Sequence, residues 1–448
     1  MSITIYRCFH PVGQGAFYSE RFRLPNKKTL NVVYDCGSDL EISQWQGVID
    51  NEFRKNEEIE FLYLSHFHED HVSGVQHLLK RCRVKNVFLP QLTDSMVFLS
   101  LAENLIESEY NPFVERLLVD PVNTIQSHGH KRDGYPAPRV IFVQPSAPEE
   151  QIWWEAPLPL NQETIQMVNG KNTWESGKPL RLSDMVTEET NRWCFVPFNL
   201  EFQTRSIKFQ ENLNARGITL GSPTAFSSAW GVEKSRKKII DAFESVASNR
   251  KKNQNENTLT LYSGPFHNGA LNGQSLFTSK HAPTYLYPAF GPIHPKLRQE
   301  CLDEWRKLVK EAKLVCRSAH CEKVLYFLER SHNFHPMVGA GFTCEQLGSL
   351  YMGDYCAKEL KNWEALKKCY QKWKEHIGIL QVPHHGSSHN YNEEIGKWAK
   401  FHVISCGKKN KYAHPGPSVV DKIIRWGGSP FLVTESHESE VIQLIRIG

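Results

Sequence analysis

The sequence predicts an α/β protein, and three observations carry that reading. The first 90 residues alternate apolar runs of strand length with helix-length segments. The chain from residue 350 to its end repeats the alternation. In both halves, side chains of the metal-binding type stand where a strand is expected to end.

Taken in order, residues 3–8 read as a strand, followed by the turn His10-Pro11-Val12-Gly13-Gln14-Gly15. Residues 19–24 and 30–34 read as strands joined by a polar turn at 25–28. Asp35 closes the second of them beside Gly37, as a turn former or as a brace for a metal-bound histidine. A helix is expected over 39–52 and a buried strand over 61–64. That strand leads into Ser65-His66-Phe67-His68-Glu69-Asp70-His71.

This stretch packs three imidazoles and two carboxylates into six residues, 66–71. In an extended exit from a strand, residues two apart point the same way, so His66 and His68 can reach one ion. A turn then brings Asp70 and His71 toward a second ion. Imidazole with carboxylate suits zinc, manganese or iron, and thiolates are absent from the stretch. The competing reading, a histidine-rich surface loop, gives no reason for this density of ligand-type side chains. A helix over 74–82 follows, its N-terminal end facing the ligands and favouring an anion there. A strand over 84–89 completes the first half.

Residues 91–190 are irregular. One or two helices within 92–118, a strand at 139–144 and a polar, Pro- and Trp-bearing stretch at 145–189 are expected to elaborate one edge of the core. His128-Gly129-His130 is a candidate ligand pair or an exposed loop. Strand character resumes at 192–199. An amphipathic helix is expected over 232–247 with basic ends, Lys234, Arg236, Lys237 and Lys238, then Arg250, Lys251 and Lys252. A solvated helix face explains these residues, and so does contact with a phosphate backbone. After a strand at 258–262, a second insertion runs over 266–345, with helical stretches near 296–313 and 322–329.

A strand at 350–354 ends in Asp354, repeating the placement of Asp35. A long helix over 355–374 and a strand over 377–382 lead into Pro383-His384-His385-Gly386-Ser387-Ser388-His389. Strands at 401–406, 431–434 and 440–447 and a helix at 417–426 close the chain. Asn410-Lys411-Tyr412-Ala413-His414-Pro415 lies between the first strand and that helix.

Composition excludes several classes. With 448 residues, 40% of them hydrophobic and 23% charged, the chain is an ordinary globular protein with a large core. A net charge of +4 is far from a nucleic-acid-binding signature. Eleven cysteines without regular spacing do not form a disulfide framework. Cys316, His320 and Cys321, with Cys301 or Cys344, are a weak candidate zinc set. No leader pattern and no apolar run of roughly 20 residues is seen, so a cytoplasmic protein with no membrane contact is expected.

His66-x-His68-x-Asp70-His71 resembles the signature of the metallo-β-lactamase-fold hydrolases. Asp35 is similar to that family's first motif, Asp354 to its bridging carboxylate and His384-His385 to its late histidine motif. The resemblance implies an αββα sandwich, here one domain over 1–448 with large insertions at about 91–190 and 266–345. Val12-Gly13-Gln14-Gly15, Asn255-Glu256-Asn257-Thr258-Leu259, His384-His385-Gly386-Ser387 and Tyr412-Ala413-His414-Pro415 are similar to the soluble domain of the DNA-uptake channel ComEC, a subgroup linked with nuclease activity. Where two-metal members supply a further histidine, this chain carries 255–257, a gap that His128, His130 or His267 could fill.

The resemblance implies one or two divalent ions, zinc or manganese. His66 and His68 would hold one, and Asp70, His71 and His385 the other. Asp354 would bridge them, Asp70 would also orient the nucleophile, and Asp35 would brace a ligand. His384 or His414 would contact the phosphate or protonate the leaving oxygen. A metal-dependent phosphodiesterase, specifically a DNA nuclease using metal-activated hydroxide, is the function expected. The alternatives are a hydrolase of a small molecule (a cyclic nucleotide, phosphocholine ester, lactone or thioester) and a metal-containing protein that binds without turnover. Nucleic acid is the expected substrate. A protein partner or activator acting through the insertions, in a bacterial defence role, is a further expectation.

Overall fold

Apolar residues alternate with a period of two along the strands, yet both sets are buried, which requires a layer on each face of every sheet. The computed structural model describes residues 3–106, 110–129, 135–146, 156–182, 193–200, 204–247, 258–266, 273–279 and 346–447. In chain order the strands of the first half are β1 (Ile3–Phe9), β2 (Phe17–Arg23), β3 (Thr29–Cys36), β4 (Glu58–Tyr63), β5 (Arg83–Pro90), β6 (Arg139–Val143), β7 (Pro145–Ser146), β8 (Leu158–Pro159), β9 (Gln166–Val168), β10 (Lys171–Trp174) and β11 (Leu180–Arg181). Then come β12 (Trp193–Leu200), β13 (Thr260–Pro265), β14 (Gly273–Ser279), β15 (Gly348–Tyr351), β16 (Ile377–Gln381), β17 (Phe401–Ser405), β18 (Ser429–Val433) and β19 (Val441–Ile447).

They form two sheets. One has the order β14-β19-β1-β2-β3-β4-β5-β6-β10-β9, the other β18-β17-β16-β15-β13-β12-β11-β8, with β7 paired to β12. Each sheet combines antiparallel strands with a parallel run. In the first, β1 to β3 are antiparallel and β3 to β6 parallel. In the second, β12, β13 and β15 are antiparallel and β15 to β18 parallel. The C-terminal ends of parallel strands are where open α/β sheets collect ligand-binding residues.

Three apolar cores define the layers. The middle one holds Tyr18, Val32, Phe61, Tyr63 and Phe88 from the first sheet against Phe195, Leu261, Tyr351, Ile379 and Val403 from the second. The alternate residues Val33, Leu62 and Val87 face outward into a core completed by helices α1 (Ile42–Glu52), α2 (Glu69–Val72), α3 (Val75–Arg81), α4 (Asp94–Ile106), α5 (Pro112–Val119), α6 (Pro121–His128), α7 (Thr204–Ala215), α8 (Pro223–Trp230) and α9 (Glu233–Ala247). Val196, Leu350, Leu380 and Ile404 face the opposite way, under α10 (Leu360–Tyr370) and α11 (Pro417–Arg425). The architecture is an αββα sandwich.

Three expectations change. Residues 91–190 do not merely overlie one edge: β6, β9 and β10 extend the first sheet, β8 and β11 extend the second, and α4 to α6 enter the outer core. The helix expected over 355–374 is only Leu360–Tyr370, followed by a 3₁₀ turn at Gln371–His376. Tyr355 and Ala357 are instead drawn into the outer core of the second sheet, and Asn362 Nδ2 donates to the Cys356 carbonyl across the turn. The third is Asp70 and His71, which sit in the separate one-turn α2 and not simply ahead of the helix that follows. In the second insertion the described residues are Phe266 and β14, which pairs with β19. The candidate zinc cysteines, His130, His267, Lys251, Lys252 and residues 255–257 lie outside the described residues.

Candidate metal centre

The centre is assembled where β3 and β4 of one sheet end opposite β15, β16 and β17 of the other. The chain leaving β4 is extended through His68, then turns into α2, which carries Asp70 and His71. Close backbone packing fixes this turn. A Cβ on Gly37 would lie 2.4 Å from the His71 carbonyl carbon, so only glycine lets the end of β3 pass beneath α2. The Ala16 amide, at the end of the Val12–Gly15 turn, donates to the Asp70 carbonyl at 3.1 Å.

From the second sheet, the Gln381 side chain accepts from both the Met352 and Gly353 amides and holds the turn that presents Asp354. The His384 amide donates to the Gly353 carbonyl at 2.9 Å, tying the histidine pair to the same turn. Asp35, His384 and His385 all have positive φ, at 56°, 49° and 53°. Backbone strain of this kind persists only where the surroundings enforce it, and here it gathers at one site.

His66, His71, Asp35, Asp354 and His385 are buried, while His68 opens toward solvent with 36% of its side chain exposed. Asp354 is the hub. Its Oδ1 lies 3.2 Å from His71 Nε2 and 3.7 Å from His385 Nε2, and its Oδ2 lies 3.7 Å from His66 Nε2 and 3.6 Å from His384 Nδ1. Asp70 Oδ2 lies 2.9 Å from His385 Nε2. Three ligand-type groups interlock: His66, His68 and Asp70; His66, His71 and Asp354; and Asp70, His71 and His385.

The groups around them hold each ring in place. Asp35 accepts from the Ser65 amide at 2.6 Å and the Ser65 hydroxyl at 2.7 Å, and lies 2.8 Å from His71 Nδ1. His385 Nδ1 donates to the Ser405 carbonyl at 2.9 Å, leaving Nε2 for the centre. His68 lies 3.5 Å from Glu103 of α4, which is in turn paired with Arg205 of α7. Sequence reading missed both Glu103 and Arg205. No local signal marks them, since they come from helices far along the chain.

The residues fit a cation. His66 Nε2 and His71 Nε2 are buried without a hydrogen-bond partner, and both face the Asp354 carboxylate. Burial works against ionising Asp354, but His384, His71 and His385 overcome it and hold the carboxyl well below its ordinary range. Burial and the neighbouring His71 push His66 well below the usual imidazole range. Burial and Asp70 push Asp39, at the mouth, up to about 6. His414, beside His384, is lowered to about 4 by burial and the two adjacent histidines. Although burial opposes it, Asp70, Asp354 and Asp35 hold His71 well above the usual imidazole range, and Asp354 and Asp70 raise His385. A divalent metal would displace those protons and meet anionic carboxylates and imidazole nitrogens, the donor set it needs.

Other candidates fall elsewhere. His128 ends α6 and hydrogen-bonds Gln76 at 2.8 Å, so it does not fill the gap in the ligand set. On α9, Lys234, Arg236 and Lys237 are exposed, Lys237 pairs with Glu233, and Lys238 donates to the Arg216 carbonyl at 2.6 Å.

The αββα sandwich and the His/Asp ligand groups at its strand ends together suggest a metal-dependent hydrolase. In agreement, the family model of the metallo-beta-lactamase superfamily matches residues 26–92, which span β3, β4, the histidine cluster and β5. Comparison with curated proteins finds no match. Among the described residues, no helix is long and apolar enough to cross a membrane.

Proposed function

We propose that this hydrolase is a phosphodiesterase that cleaves nucleic acid, with DNA as its substrate. The observation that supports this reading is a row of side chains leading out of the centre. From Asp354 it passes to His384, then to His414 with ring centroids 5.8 Å apart, and then to Tyr412, stacked on His414 at 5.8 Å. Tyr412 is 53% exposed, and Lys408, Lys409 and Lys411 are exposed in the same loop. An exposed ring beside cationic side chains offers a nucleobase a stacking face and the backbone a counter-charge.

In this reading His66, His68, Asp70, His71, Asp354 and His385 hold one or two divalent ions, for which zinc and manganese suit the donors. Bound metal supplies Lewis acidity, which makes water a competent nucleophile at neutral pH and offsets charge on the phosphate. The protein's own groups do the rest. Asp70 would orient the attacking water, Asp35 fixes the His71 ring through its Nδ1, and His384 or His414 would contact the phosphate or protonate the leaving oxygen. The basic face of α9 is a secondary contact for the backbone. The two insertions, within one domain, are the surfaces on which a protein activator would act.

The test is digestion of linear and circular, single- and double-stranded DNA and RNA with manganese, zinc or magnesium, beside Asp70→Ala and His68→Ala. Metal-dependent cleavage is expected, reduced at least 100-fold in both variants, consistent with removal of a group acting in the transition state. No cleavage of any polymer by metal-loaded protein would overturn the reading.

A further inference from the structure

A second group of ligand-type side chains lies on the opposite, helix-covered face of the first sheet. β19, β1 and β2 are neighbours there, with Phe9 opposite Val441 and Cys8 opposite Ser19. This register brings Cys8, His10, Ser19 and Glu440 together, although Glu440 is 432 positions from Cys8. Cys8 and His10 are fully buried, and 9% of the Glu440 side chain is exposed.

Cys8 Sγ lies 3.4 Å from His10 Nδ1 and 3.2 Å from Glu440 Oε1, and His10 Nδ1 lies 3.5 Å from Glu440 Oε1. Zinc bonds of about 2.0–2.3 Å at tetrahedral angles place their ligand atoms roughly 3.3–3.6 Å apart. The triangle therefore has nearly the edge lengths of one face of a zinc tetrahedron.

The imidazole is also set in the tautomer that a metal requires. Ser19 Oγ donates to Glu52 Oε1 of α1 at 3.1 Å, so its oxygen accepts from His10 Nε2 at 2.8 Å. With its proton on Nε2, His10 turns the bare lone pair of Nδ1 toward the thiol and the Glu440 carboxylate. The ring is held flat on Phe17, with centroids 4.2 Å apart. A single thiol proton cannot satisfy both acceptors at once, whereas a divalent cation satisfies all three groups. With Cys8 as thiolate and Glu440 ionised, that cation makes the buried cluster electrically neutral.

We propose that Cys8, His10 and Glu440 form a structural site for a zinc-type divalent ion, separate from the His/Asp centre, with water as the fourth ligand. The ion ties the N-terminal strand to the C-terminal strand. Uptake would release the Cys8 thiol proton, since the thiolate is the form that binds a metal.

The test uses the full chain produced with cobalt in place of zinc. A thiolate ligand gives a sulfur-to-cobalt charge-transfer band in the near ultraviolet, and the His/Asp centre contains no thiolate. Expected are that band and one cobalt equivalent more in wild type than in Cys8→Ser. Asp70→Ala is expected to keep the band, and His10→Gln to lose it. A wild-type protein without the band would overturn the proposal. So would a band that survives Cys8→Ser, which would assign it to other cysteines.

Discussion

Asp35 touches no cation ligand position itself, yet it governs one. Its carboxylate takes the Ser65 amide, the Ser65 hydroxyl and His71 Nδ1, and thereby points His71 Nε2 at Asp354. Asparagine has nearly the same shape but replaces one acceptor oxygen with a donor, which must then face a hydrogen already there. Asp35→Asn is expected to weaken metal binding about 10- to 100-fold, the usual cost of disturbing the partner of a ligating histidine. Competition titration against a chromophoric chelator measures this, and unchanged affinity would show that His71 needs no such brace. In the sequence Asp35 has two readings, turn former and brace, and the structure gives it both features. Its φ of 56° is the left-handed conformation that Asp tolerates, and its side chain is fully buried against His71. The histidine cluster was legible because its residues are adjacent. Their orientation was not, because Ser65, Gln381 and Ser405 act from three different strand ends.

At the level of elements, α4 reaches the centre from the first insertion. Glu103 is buried between His68 and Arg205, and although burial opposes its charge, Arg205 and His68 hold its carboxyl below the ordinary range. Glu103→Gln keeps the volume and removes the charge. The His68 ring then loses its anionic partner and Arg205 is left with a neutral one. Metal content is expected to fall and affinity to drop about 10-fold, with helical circular dichroism unchanged. Full metal occupancy in the variant at limiting metal would mean that α4 only covers the sheet. The strands that carry ligands were readable from apolar runs ended by polar residues. Helices α7 and α8 were not read at all, since their buried faces are thin: Phe209 and Leu213 on one, Phe226 on the other. Helix α10 starts later than the sequence suggests because Tyr355 and Ala357 are buried in the turn after Asp354, outside any helix.

For the whole molecule, the paired layers follow from period-two alternation, whereas the closure of the sheet by β14, β19 and β1 joins distant residues and leaves no local trace. Within the apolar core between the two sheets, one polar network crosses from sheet to sheet. Arg7 is fully buried between them, with Nε 2.7 Å from Glu20 Oε1 on the neighbouring strand of its own sheet. From the second sheet, the Tyr351 and Ser263 hydroxyls both donate to Glu20 at 2.6 Å, and Arg7 donates to the Ser263 carbonyl at 3.2 Å. Removing only the cation strands a buried carboxylate, so Arg7→Met is expected to cost about 3–5 kcal/mol of global stability. Adding Glu20→Gln removes the stranded charge and keeps an oxygen for one of the two hydroxyls, which sit on different carboxylate oxygens, while its amide can donate to the other. The double variant is therefore expected to recover about 2 kcal/mol of that loss, since a carboxylate is harder to leave unpaired than an amide. Guanidinium unfolding followed by tryptophan fluorescence reads both values. The transition should remain single, because the network spans both sheets and neither can lose its partner alone. If Arg7→Met and the double variant proved equally unstable, the loss would lie in packing of the arginine stem, and the sheets would be held by their apolar faces without help from this pair.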